Sequence, residues 1–87
     1  MDRNKGGESV SQEGWRLAKQ ARTLIQAHEA LSALMPGEDA SPAARLEFYR
    51  RSAAVYAAVA EIDRGHHHEA MYWAEREQRR AEALAQR

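Results

Sequence analysis

The sequence predicts an all-α protein, a three-helix antiparallel bundle whose thin core a second copy of the chain could complete by dimerisation. Three observations carry that expectation. Apolar residues recur at steps of three and four over long stretches, which gathers them on single helical faces. Alanine, the strongest helix former, is the commonest residue, and no run alternates apolar and polar as a half-buried strand would. Internal turn-formers cluster at two places, Pro36-Gly37 and Asp63-Arg64-Gly65, and so cut the chain into three.

The opening residues 1–8, MDRNKGGE, are polar with paired glycines and read as a flexible N-terminal arm. Residues 9–87 then form one helical domain, as the length of 87 residues allows. The first helix is expected over about 9–35. Ser9 and Gln12 have capping-box spacing and Glu13 puts an acid in the first turn. Trp15, Ala18, Ala21, Leu24, Ile25, His28, Leu31, Leu34 and Met35 trace its apolar face, with Arg16, Lys19 and Arg22 opposite. Pro36-Gly37 ends it.

The second helix is expected over 41–63, with Ser41 as N-cap and Pro42 at the first helical position. Two adjacent stripes run along it: Leu46, Tyr49, Ala53, Tyr56, Ala60, and Phe48, Ser52, Val55, Val59, Ile62. A face that wide exceeds what one neighbour covers, so this helix belongs in the centre. Gly65 is expected to end the turn as a left-handed cap. The third helix follows over 66–86, with its apolar residues early, from Ala70 to Ala74. Glu75 and Arg79, four apart, suit its solvated face.

Residues 58–74, AVAEIDRGHHHEAMYWA, resemble the helical hairpin of tetratricopeptide repeats and of the MIT domain. Asp63 and Gly65 fit the acidic, glycine-containing turn, and Glu69, Ala70 and Met71 fit the start of the following helix. Histidine stands where those families carry an aromatic after the glycine, and no second repeat follows at a period of ~34 residues. The resemblance implies a peptide-binding or assembly role rather than an enzyme. As a whole the chain is similar to small alanine- and arginine-rich helical proteins of GC-rich bacteria.

Composition narrows the functions. Thirteen Lys plus Arg balance thirteen Asp plus Glu, so the broad positive field of a non-specific nucleic-acid binder is missing. With no cysteine there is no disulfide scaffold, thiolate zinc site or cysteine nucleophile, and the cytoplasm is the default compartment. No apolar run approaches the ~20 residues of a membrane span, and MDRNKGGES lacks the apolar core of a signal peptide. No glycine-rich phosphate loop or paired catalytic set stands out, and three short helices are expected to leave no pocket of ~300 Å³. An enzyme, a cofactor and a small-molecule substrate are therefore not expected.

Four sets of residues carry the functional expectations. The first is an interaction or self-association face made by Phe48, Val55, Val59, Tyr72 and Trp73, since Phe48-Tyr49 and Tyr72-Trp73 each offer more aromatic surface than one core position takes. A charged residue at Phe48 or Val55 is expected to leave the protein folded and non-associating. The second is His66, His67, His68 and Glu69, a metal- or pH-responsive alternative. Consecutive helical residues diverge by ~100°, so three adjacent histidines do not converge on one ion. Their protonation would set like charges together at a helix start and loosen the third helix. The third is Arg16, Lys19 and Arg22, a minor nucleic-acid alternative. The last is His28, expected as a part-buried imidazole bonded to Tyr49 or Tyr56.

Overall fold

The computed structural model describes residues 12–86, and these form an all-α structure with no strand among them. The helices are α1 (residues 12–19), α2 (Leu24–Leu34), α3 (Pro42–Ile62) and α4 (His67–Ala85). A 3-10 turn, Arg64–His66, joins the last two. The flexible arm expected over 1–8 and the helix start at Ser9 or Ser11 lie outside the described residues.

The single first helix expected over 9–35 is two helices, and local hydrogen bonding explains the break. At the end of α1 the backbone tightens: the Gln20 N–H reaches Leu17 O at 3.1 Å and the Ala21 N–H reaches Ala18 O at 3.2 Å. Thr23 then turns extended, with φ −132° and ψ 159°, and becomes the N-cap of α2. Its Oγ1 accepts the Gln26 N–H at 3.1 Å, while Gln26 Oε1 accepts the Arg22 N–H at 2.8 Å. This is a capping box with its return bond one residue early. The two helices fold back on each other so closely that a Cβ on Gly14 would lie 2.5 Å from Leu34 Cδ2. Among the described residues four helices thus replace the three expected.

α3 starts as its sequence dictates. Ser41 Oγ accepts the Ala44 N–H at 3.1 Å, and Pro42 occupies the first turn, where its missing N–H is no loss. The connection before it is pinned by one side chain: the Arg45 guanidinium donates to the carbonyls of Gly37, Glu38 and Ala40. At the far end the chain reverses through the 3-10 turn into α4. Gly65 there has no positive φ, so the expected left-handed cap is absent and an ordinary 3-10 turn does its work.

α3 is the shared element, as its wide apolar face predicts. It pairs along its length with antiparallel α4, and α2 packs on both. The core joins Ala18, Ala21, Leu24, Ala27 and Leu31 to Val55, Tyr56, Val59 and Ala60 of α3 and to Ala70 and Ala74 of α4. Alanine makes up more than half of that set, so the helices approach closely and each larger side chain carries much of the apolar burial. Ile25, Met35 and Ile62, which the helical stripes put on apolar faces, remain open, with 66%, 66% and 45% of their surface exposed. No helix among the described residues is long and apolar enough to cross a membrane.

Candidate functional site

The hairpin turn that holds the histidines is a structural joint. Asp63 Oδ2 accepts the Leu24 N–H and the His66 Nδ1–H, both at 2.9 Å. One carboxylate thereby caps the start of α2 and steadies the turn between α3 and α4. The Leu24 amide holds the Asp63 carboxyl below its usual range, against the opposing effect of desolvation and with lesser help from His66. His67 Nδ1 donates to Ala60 O at 2.9 Å, so it covers a carbonyl in the last turn of α3. That bond places the proton on Nδ1, and the 3.3 Å approach of Arg64 Nη1 to the same atom is therefore not a hydrogen bond. His68 and Glu69 face solvent.

Among the described residues no three His, Cys, Asp or Glu side chains gather as a metal-holding group, His66, His67, His68 and Glu69 included. The His66 ring faces the Asp63 carboxylate, while the His67 and His68 rings stand edge-on with centroids 5.3 Å apart.

The interface set divides. Phe48, Val55 and Val59 are buried within the chain, Val59 with 1% of its surface exposed, so they belong to the core. Trp73 is half-buried and Tyr72 is 55% exposed, which settles which member of that pair points outward. The stripe Arg16, Lys19, Arg22 is interrupted: Arg16 pairs with Glu13 on α1, and Arg22 lies beyond the helix end. Those three do not share one helical face.

The feature that sequence reasoning missed is a cleft of about 520 Å³ between α2, α3 and α4, lined at one end by the Arg45-pinned connection. The expectation that so small a bundle leaves no pocket is overturned. α2 ends at Leu34, and its His28, Leu31 and Ser32 line the cleft together with the connection that follows it and with α3 and α4.

The wall of the cleft is a set of interlocked rings. His28 Nδ1 and the Tyr56 hydroxyl share a hydrogen bond at 2.8 Å, the pairing expected for that histidine. The His28 ring stands edge-on to Trp73 with centroids 5.1 Å apart, and Tyr56 stacks on Trp73 at 6.0 Å. Phe48 and Tyr49 continue the wall toward the connection. Basic side chains edge it. Arg76 lies over the Trp73 ring at 5.0 Å and bonds Glu77 at 2.8 Å, while Arg80 lies over Tyr49 at 5.7 Å. Burial, aided by the Glu77 charge and opposed by Arg76, pushes the Tyr56 phenol up to about 12.

No family model, curated protein or solved structure matches this chain.

Ser52 lines the cleft with 1% of its surface exposed, and its Oγ has no hydrogen-bond partner among the described residues. A buried hydroxyl left alone costs about 1–3 kcal/mol, so such atoms are rare and call for a reason. Among the described residues no free base is bonded to it. His28 is engaged by Tyr56, Tyr56 holds its own proton, and Glu77 is paired with Arg76. The lining supplies aromatic rings, arginine side chains and one buried hydroxyl without a partner.

Proposed function

We propose that the protein is a non-catalytic binding module that works through the cleft between α2, α3 and α4. The observation that carries this reading is the unpartnered Ser52 hydroxyl at the wall of an aromatic cavity. A small apolar ligand that packs against the part-exposed Tyr49 and Trp73 rings of the lining and brings a polar atom to Ser52 would satisfy the orphan. The lack of a base beside Ser52 favours binding over chemistry.

Calorimetric titration with indole, a neutral aromatic probe, tests the reading. The wild-type chain is expected to take up indole, and Ser52→Leu, which extends a side chain into the cleft, is expected to abolish uptake while circular dichroism stays helical. Equal uptake by both would remove the cleft from the account.

A second reading is self-association, favoured by five large apolar side chains, Leu17, Ile25, Met35, Ile62 and Tyr72, that are 45–66% exposed. Light scattering across a dilution series distinguishes it: a chain that stays monomeric at high concentration does not use these residues to pair.

A further inference from the structure

On the reading that the chain self-associates, we infer that the contact is the seam between α2 and α4, and that a second copy of the chain packs on it antiparallel, about a two-fold axis. Helical spacing defines the seam. Ile25, His28, Ser32 and Met35 follow at steps of three and four along α2 to its C-cap. Glu69, Tyr72, Trp73, Arg76 and Arg80 make the matching stripe along α4. The two stripes lie side by side: the His28 and Trp73 rings meet at 5.1 Å, and His28, Ser32 and Met35 border the same cleft as Trp73, Arg76 and Arg80. Of the five exposed large apolar side chains among the described residues, three fall on these stripes, Ile25, Met35 and Tyr72. Apolar surface gathered on one face in this way marks a contact with another molecule.

Charge selects the occupant and its direction. Glu69 stands at the hairpin end of the α4 stripe, and Arg80 stands about three turns further on, over the Tyr49 ring. Both are exposed, and neither is in an ion pair among the described residues. Between them Arg76 carries its own counter-charge, Glu77 at 2.8 Å. The stripe is therefore negative at one end, neutralised in the middle and positive at the other. Such a stripe is complementary to itself when turned end for end, which is the condition for an isologous two-fold contact. A parallel copy would set like charges together. In the antiparallel register Glu69 of each copy meets Arg80 of the other, and Ile25 comes opposite Met35. Apolar burial supplies the affinity and the two ion pairs supply the register, since exposed pairs add little by themselves.

The test is sedimentation equilibrium of the whole chain, without added ligand, on the wild type, Glu69→Arg, Arg80→Glu and an equimolar mixture of the two variants. The wild-type chain is expected to dimerise. Each variant alone should associate at least roughly tenfold more weakly, because its changed residue faces a like charge at both ends of the contact. Both positions are exposed, so circular dichroism should stay helical. The mixture should regain the wild-type dimer, because there every arginine of the two pairs meets a glutamate. A wild-type chain that stays monomeric would overturn the self-association reading and the seam together. A wild-type dimer that both variants leave intact, or variants that do not recover on mixing, would overturn the seam alone. Glu69 lies outside the lining of the cleft, so indole uptake by Glu69→Arg judges the cleft separately.

Discussion

Asp63 reaches across 39 residues of chain to accept the backbone N–H of Leu24 at 2.9 Å. The first turn of α2 is thus capped from inside by Thr23 and from outside by the turn between α3 and α4. The bond fixes the position of α2, and the cleft exists because α2 sits where it does. Asp63→Asn is expected to lower hydrogen-exchange protection in α2 while α3 and α4 keep theirs. A uniform loss over all helices would mean that the bond holds the whole bundle.

The same carboxylate sets an acid limit. Its pKa is lowered in the folded chain, so the stability it contributes is present above the ordinary carboxylate range and is lost as pH falls through the folded value. Acid unfolding of the wild-type chain should therefore steepen below pH ~4, and Asp63→Asn should flatten that limb.

Tyr56 sets the alkaline counterpart. The phenol is raised from 10.0 to about 12, so between those values the unfolded chain loses its proton first. Stability should be undiminished by this group below pH 10 and fall as pH rises toward about 12. Ultraviolet titration is expected to find one of the three tyrosines ionising late, and Tyr56→Phe to remove that late step.

Much of this architecture is legible in the sequence, and the failures have physical causes. Ser41-Pro42 marks the start of α3 because a serine cap and a proline in the first turn favour one position only. The placement of α3 at the centre follows from two apolar stripes on one helix. The break at Gln20–Thr23 is hidden because Ala18, Ala21, Leu24 and Ala27 keep helical spacing straight through it, α1 and α2 both burying alanine-rich faces. The signal was present as Thr23-Leu24-Ile25-Gln26, which has capping-box spacing, but without glycine or proline it does not read as a stop. The cleft depends on where α2 lies, so it was not legible either. Ser52 reads in sequence as a minor gap in an apolar stripe.

Gly65 tests how the hairpin turns. Its φ is not positive and a Cβ there would meet nothing within 4 Å. Gly65→Ala should stabilise the chain by about 0.4–1 kcal/mol in denaturant unfolding, by restricting the unfolded state. A loss of that size would mean the turn needs the left-handed conformation that the sequence alone suggested.

Core and cleft positions should part in mutagenesis. Val59 is fully buried among short side chains, and Val59→Ala is expected to destabilise by about 2 kcal/mol, two methyl groups' worth of burial. Phe48→Glu and Val55→Glu should unfold the chain rather than merely block association. Ser52→Ala should be neutral or stabilising by about 1 kcal/mol, because it removes an unpaired hydroxyl and breaks no bond.

The most direct measurement is a two-dimensional nuclear magnetic resonance map of where indole binds. The account expects saturable shifts confined to the cleft, at His28, Ser52, Tyr56 and Trp73, with the exposed Leu17 and Tyr72 unchanged. Shifts centred on Leu17 or Tyr72, or none that saturate, would contradict it.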